Sequence, residues 1–386
     1  MKHCPHFNRC GGCNSLAISY PEQLRQKHEL LQKQFHSFTR EIPPVIGCVE
    51  PWLYRHKVQL PFGFAGKGKN GHPLIGCYAN DSHRVVDQKL CLIQDGSCSR
   101  VAWALRDWAR QNRLSVYNEK TGTGLLRHAL IRKAAGTGEL LVGLITNGPV
   151  TKGRRKLVGS LLKILENTDI GTDTIVGIVQ NVNTRKTNVV LGNEDVVWWG
   201  RPYIKELLGT LKYKIALSTF FQVNPLQASR LYNEVLRHIP AGARVIDCYC
   251  GVGSIALWLS SAASEVFGIE ENRASVKAAR VAARANGISN AVFAAGDAQR
   301  EMVLASRDKG FSTVVLDPPR KGLADGMTDT IIESALKKVI YVSCNPQTLQ
   351  RDIALLNKDF ACLSVQGVDM FPHTEHIECV AVLERR

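Results

Sequence analysis

The sequence has no uninterrupted apolar run long enough to span a bilayer and no basic amphipathic helix, which argues against an integral or surface-bound membrane protein. Its first residues lack the apolar core of a secretory signal, so a cytoplasmic chain with reduced thiols is expected. It contains no internal repeat and no low-complexity segment. Acidic residues are scarce: 34 Asp and Glu face 49 Lys and Arg, a formal net charge of +15 that favours a polyanionic partner, nucleic acid first. What is present fits a folded chain, with 45% hydrophobic and 22% charged residues. At 386 residues it exceeds the length at which one core stops growing, and two domains are expected.

Twelve cysteines do not make a disulfide framework here, since such frameworks belong to short secreted domains. Spacing must assign them to metal ligation, nucleophilic catalysis or core filling. Residues 1–13 hold Cys4, Cys10 and Cys13 as C-x5-C-G-G-C, with almost no apolar periodicity to order the segment. This spacing fits zinc, although only one C-x2-C knuckle is present, and it fits an iron-sulfur cubane that takes its fourth thiolate from elsewhere. Pro21, Leu24, Leu30, Leu31 and Phe35 predict a helix that ends before Pro43-Pro44.

Residues 14–217 read as a central α+β domain. Short β-branched runs alternate with glycine-rich turns such as Lys67-Gly68-Lys69-Asn70-Gly71, and a helix lies near Val101–Gln111. Basic residues gather here, and Arg55, Lys57, Arg127, His128 and Arg132 are the predicted RNA contacts. From residue 218 onward apolar strands alternate with alanine-rich helices, which predicts a Rossmann-like doubly wound sheet. Its expected strands are Arg244–Cys248, Val266–Ile269, Ala291–Ala295, Thr313–Leu316 and Val339–Val342. Two further runs, 361–369 and 376–383, predict a terminal antiparallel pair and seven strands in all.

Asp247-Cys248-Tyr249-Cys250-Gly251-Val252-Gly253 follows the first of these strands and opens a helix, so Gly251 and Gly253 let backbone approach a ligand at a helix N-terminus. Glu270 ends the second strand, where an acid suits a pair of ribose hydroxyls, and Asp297 follows the third, within reach of an adenine amino group. Asp317-Pro318-Pro319 follows the fourth. The ordered series at carboxyl ends resembles S-adenosylmethionine-dependent methyltransferases more than dinucleotide-binding dehydrogenases. Cys344 follows the fifth strand at an Asn345-Pro346 turn, where a nucleophile is favoured over inert packing.

Ser218-Thr219-Phe220-Phe221-Gln222-Val223-Asn224-Pro225, Asp247 to Gly253, Asp317-Pro318-Pro319-Arg320, Ser343-Cys344-Asn345-Pro346 and Asp369-Met370-Phe371-Pro372-His373-Thr374 together resemble the RNA 5-methyluridine (uracil-C5) methyltransferase family. The resemblance covers the whole C-terminal half. It implies that Cys344 adds to carbon 6 of a uracil and that Glu378 removes the proton from carbon 5 once that carbon is methylated. A solvent-facing strand residue is the plain alternative for Glu378. By the same resemblance Gln222, Tyr249, Ser254, Glu270, Asp297 and Asp317 line the S-adenosylmethionine site, and Phe220 lies near the flipped base. Tyr249 stands where phenylalanine is common, and Ser254 where asparagine often occurs.

Ribosomal-RNA members of the family carry this N-terminal cysteine spacing with a fourth ligand in the next domain, so the resemblance implies a 4Fe-4S cluster on Cys4, Cys10, Cys13 and Cys91. Cys77 and Cys98 are the less favoured fourth ligands. The chain starts almost directly with these cysteines, leaving no room for an N-terminal TRAM domain, and thereby resembles the shorter 23S rRNA enzymes. A tRNA uridine is the second expected substrate. Two other classes, an iron-sulfur oxidoreductase binding a dinucleotide and a non-catalytic RNA-binding module, stand further off. No obligate protein partner is evident.

Overall fold

The computed structural model describes residues 3–66, 71–308 and 310–386; of the expected turn at 67–71, residues 67–70 lie outside the described residues. The chain divides into two compact units, Met1–Ala17 with Glu50–Leu207 and Lys214–Ser218, and Ile18–Val49 with Leu208–Tyr213 and Thr219–Arg386. No helix among the described residues is long and apolar enough to cross a membrane. The first helix, α1 (Tyr20–Phe35), belongs to the second unit, and with it residues expected to join the central domain. The cause is its buried stripe Gln23, Lys27, Leu31 and Phe35, spaced every four residues. Leu31 and Phe35 enter the core of the second unit together with Val45.

The first unit is built on a seven-stranded sheet. Its elements are β1 (Lys57–Ala65), β2 (His72–Tyr78), β3 (Val85–Asp87), α2 (Gly96–Gln111), β4 (Leu126–Lys133), β5 (Glu139–Thr146), α3 (Arg154–Glu166), β6 (Thr174–Val182) and β7 (Glu194–Gly200). The strand order is β3-β2-β1-β4-β5-β6-β7. All neighbours are antiparallel except β5 and β6, the pair whose connection contains α3, because a parallel pair needs a crossover. Asp95 caps α2 by accepting from the Ser97 and Cys98 amides, and Val101, Leu105 and Trp108 bury that helix in the core with β4 and β5. Two strands outside this sheet, β8 (Tyr203–Leu208) and β9 (Leu211–Ala216), form a separate pair.

The second unit continues with α4 (Pro225–Leu236), β10 (Arg244–Cys248), α5 (Ser254–Leu259), β11 (Glu265–Glu270), α6 (Arg273–Ala285), β12 (Ala291–Ala295), α7 (Ala298–Asp308), β13 (Thr313–Leu316), α8 (Met327–Glu333), β14 (Lys338–Ser343), α9 (Pro346–Leu356), β15 (Phe360–Val368) and β16 (Glu378–Arg385). Its sheet runs β12-β11-β10-β13-β14-β16-β15. The first five strands are parallel, while β16 runs antiparallel to both β14 and β15. The five expected parallel strands and the terminal pair are therefore present, to within two residues at each end. The central parallel strands β10, β13 and β14 are covered on both faces, which is why they read as short continuous apolar runs. The chain leaves β10 for β11 on one side and meets β13 on the other. This switch point lies at the carboxyl ends of the strands, the edge where open α/β sheets take ligands in a crevice.

Candidate active site

At the end of β10 the backbone passes through three left-handed positions, Tyr249 (φ 65°), Gly251 (φ 55°) and Gly253 (φ 77°), before α5 begins. Gly253 has no alternative residue, since a Cβ there would stand 2.7 Å from the Phe293 ring. Tyr249 has a Cβ and holds the same conformation, a cost that recurs at functional sites. The Gly251 amide donates to Glu270 (3.1 Å), whose other carboxylate oxygen accepts from the Asn272 amide (2.8 Å). Asp297 follows β12 and accepts from the Arg300 amide (2.9 Å), opening α7. The Ser254 hydroxyl accepts from Tyr232 (3.2 Å). Gln222 is half-buried and Phe220 is 64% exposed, both on the segment that enters α4.

Asp247 is fully buried one residue before the end of β10, where burial and then the charge of Asp317 push its carboxyl up. No cation or side-chain donor faces it among the described residues. Burial likewise raises Asp317 to about 7, although the residue keeps some solvent contact at the surface. In the sequence Asp247 stands out only as part of a motif. Its place inside an apolar strand concealed that it adds a second buried acid to the crevice.

Register explains how Cys344 and Glu378 meet. Ser343 pairs with Cys379 across the antiparallel β14 and β16, so Cys344, one step beyond, and Glu378, one step before, come to the same point of the sheet edge. Glu378 is 5% exposed, which sets aside a solvent-facing role. Its carboxyl is raised to about 8 by burial, then by the charge of Asp317, against an opposing pull from the Arg320 guanidinium. The half-buried Cys344 thiol is raised to about 11 by burial, then by Glu378 and Asp317, and again Arg320 opposes. Asn345 caps α9 by accepting from the Gln347 amide (3.1 Å) and donates to the Arg320 carbonyl (3.1 Å), tying the two loops together. Arg320 reaches the His376 ring at 3.2 Å.

The loop that delivers Glu378 is held by α1. Lys27 pairs with the buried Asp369 (2.8 Å), Tyr20 donates to the same carboxylate (2.9 Å), and Gln23 both donates to the His373 ring (3.1 Å) and accepts from the His373 amide (2.9 Å). His373 takes a left-handed φ of 67°. This clamp lies more than 300 residues from its partner in sequence, and no local pattern announces it.

In the first unit Cys4, Cys10, Cys13 and Cys91 line one small cavity, and Cys77, the less favoured fourth ligand, lines it too. The Cys10–Cys77 hydrogen bond favours the Cys10 thiolate, with Gln88 also donating to that sulfur (2.8 Å). Cys98 lies fully buried in α2. No group of three Cys, His, Asp or Glu among the described residues converges as the ligands of one metal ion, so the expected metal centre is not shown. The expected RNA contacts are placed unevenly. Arg55 is half-buried, whereas Arg127 and Arg132 are buried and donate to backbone carbonyls of Asn183, Arg185 and Leu217. Burial, then Arg132, lowers Lys57 to about 8, and burial, then Arg127, lowers His128 to about 4. Packing turns Arg127 and Arg132 inward instead of to the surface.

The sequence profile of a family described as tRNA (Uracil-5-)-methyltransferase matches residues 176–386. An uncharacterized RNA methyltransferase of Leptospira interrogans is 42% identical over 386 residues, covering 99% of this chain and 98% of its own. Another, from Halalkalibacterium halodurans, is 38% identical over 389 residues, covering 99% and 82%. Among solved structures, the Pyrococcus abyssi tRNA (uracil-54, C5)-methyltransferase in complex with S-adenosyl-L-homocysteine aligns with a TM-score of 0.78 at 27% identity, covering 97% of this chain and 86% of that one.

Proposed function

The chain belongs to the tRNA (uracil-5-)-methyltransferase family, and on that premise we propose that it methylates carbon 5 of a uridine in RNA, with Cys344 as nucleophile and Glu378 as base. The observation that carries the reading is the meeting of Cys344 and Glu378 at one sheet edge with Asp317 and Arg320. The crevice fits S-adenosylmethionine, the parent of the S-adenosyl-L-homocysteine bound in the Pyrococcus relative. Gly253 leaves no room for a side chain, Glu270 and Asp297 follow successive strands, and the buried acids Asp247 and Asp317 suit a cationic ligand. When bound, this cofactor supplies an electrophilic methyl group.

The half-buried Cys344 thiol gives its proton to solvent, its sulfur bonds to carbon 6 of the uracil, and the carbon 5–carbon 6 π electrons move toward oxygen 4. Carbon 5, now electron-rich, is placed to accept a methyl group, which bound S-adenosylmethionine would supply, its sulfur keeping the bonding electron pair as S-adenosylhomocysteine. Glu378 then takes the proton from carbon 5, the ring double bond re-forms and the Cys344 thiolate leaves from carbon 6. A general base works best with its pKa near the working pH, which burial achieves for Glu378. A positive charge bound among the acids favours their ionised forms and so readies Glu378.

Cys4, Cys10, Cys13 and Cys91 are proposed to hold a 4Fe-4S cluster. Its thiolates bind different iron atoms and need not converge on one point, and the cavity supplies soft sulfur donors. No step of the methyl transfer needs an electron, so its role is structural. The cysteine spacing supports 23S rRNA as substrate, while the Pyrococcus relative makes tRNA the second reading. Mapping 5-methyluridine in rRNA and tRNA from cells with and without the protein separates them. Loss of the nucleoside from one 23S position supports the first, loss from tRNA supports the second, and no loss in either overturns the proposal.

A further inference from the structure

A concavity of the first unit, about 1370 Å³, lies where the facing ends of β1 and β2 meet the segment after α2. It exceeds the roughly 300–1,000 Å³ typical of small-molecule sites. Its lining contains five cationic side chains and a single carboxylate. Four of the cations, Arg84, Arg110, Arg113 and Lys120, are exposed. The fifth, Arg127, is buried, where it donates to two carbonyls and lies over the Tyr117 ring at 4.5 Å, fixing that ring in the wall. The carboxylate, Glu119, is already engaged by the His83 ring at 2.6 Å.

Aromatic surface is interleaved with this charge. Phe64 is 54% exposed on β1, an outlay of apolar surface that no core uses. Tyr78 and His83 stack with centroids 5.1 Å apart and ring planes inclined by 24°, so the exposed His83 presents a ring already held parallel to its neighbour. Cations that track a backbone, alternating with rings that accept bases, form the device by which proteins hold single strands. A duplex buries its base faces in its own stack and would leave these rings idle.

We propose that this groove binds an unpaired stretch of the RNA substrate, with its phosphates on Arg84, Arg110, Arg113 and Lys120 and its bases stacked on Phe64 and the Tyr78–His83 pair. The proposal rests on the RNA-methyltransferase reading and deepens it: the target uridine lies in a substrate with several single-stranded nucleotides, and the RNA surface adds Arg84, Arg110, Arg113 and Lys120 to Arg127 and His128, which line the same groove.

The test uses the full-length protein and a single-stranded RNA of about ten nucleotides, within the range a single-strand groove covers, carrying 2-aminopurine, beside the same RNA annealed to its complement. Fluorescence is expected to report stacking of the single strand, with the duplex bound more weakly. Phe64→Ala is expected to lower affinity for the single strand by about 5- to 150-fold, the range for loss of one stacked base. The triple variant Arg110→Ala, Arg113→Ala, Lys120→Ala is expected to reduce the slope of log affinity against log salt by about 2, at roughly 0.7 per phosphate contact. Unchanged affinity and slope in both variants, with melting curves like wild type, would overturn the groove. Equal binding of the duplex, or displacement of the oligonucleotide by polyglutamate with Phe64→Ala having no effect, would overturn it in favour of shape recognition or an acidic peptide. A wild type that deposits no 5-methyluridine, while these variants still lose single-strand binding, would remove the assigned chemistry and leave the groove standing.

Discussion

Replacing Glu378 by Gln separates the cost of the catalytic base from its use. The carboxyl titrates near 4.5 in an unfolded chain and at about 8 in the fold, with burial the main cause. Between those values the folded state holds the proton more tightly than the unfolded state, so stability contributed by this group is complete below pH 4.5 and is lost as pH rises toward 8. One pKa unit corresponds to about 1.4 kcal/mol, so the loss is about 3 kcal/mol at pH 7 and at most about 5 kcal/mol at pH 9. Glutamine keeps the shape and carries no charge at any pH. The variant is expected to match wild type near pH 4.5, where the glutamate is largely protonated, and to melt several degrees higher at pH 8.5. Turnover is expected to fall by about 100- to 10,000-fold, the usual contribution of a positioned base. Thermal melts across pH 4.5–9 and multiple-turnover release of methylated RNA supply both readouts. A variant that melts lower than wild type at pH 8.5, or that turns over normally, would refute the assignment of Glu378 as a buried base.

Lys27→Met leaves Asp369 buried without its cation and is expected to cost about 3–5 kcal/mol in denaturant unfolding, with methylation falling as the loop bearing Glu378 loosens. Gly253→Ala places a methyl group against Phe293 in a left-handed backbone whose conformational cost alone is about 1–2 kcal/mol, and calorimetry is expected to show weakened S-adenosylhomocysteine binding. Anaerobically purified protein is expected to contain iron and acid-labile sulfide, which Cys13→Ser loses and Cys98→Ala retains; stoichiometric zinc without sulfide would refute the cluster.

The catalytic half was legible because each local signal agreed with the fold. Short apolar runs marked the buried parallel strands, and the polar residues following Cys248, Ile269, Ala295, Leu316 and Ser343 collected on one edge because parallel strands share a direction. The Cys344–Glu378 meeting followed from an antiparallel final strand. What stayed hidden depends on long-range pairing. Gln23 and Lys27 look like a solvated helix face until His373 and Asp369 supply partners, so a segment assigned to the central domain packs elsewhere. Cys77 reaches the cysteine cavity through the pairing of β2 with β3, which its distance in sequence from Cys13 does not reveal. Arg127 and Arg132 read as surface charge because composition does not show which arginines spend their donors on buried carbonyls.

In the proposed mechanism Cys344 bonds to the target base, and intact mass measurement of Glu378→Gln after incubation with S-adenosylmethionine and substrate RNA reads that bond. The expected result is a denaturation-resistant species whose mass equals protein plus methylated RNA, absent when Cys344→Ala is added to the same variant. Methylation of RNA to wild-type level by Cys344→Ala, with no covalent species in either variant, would contradict it.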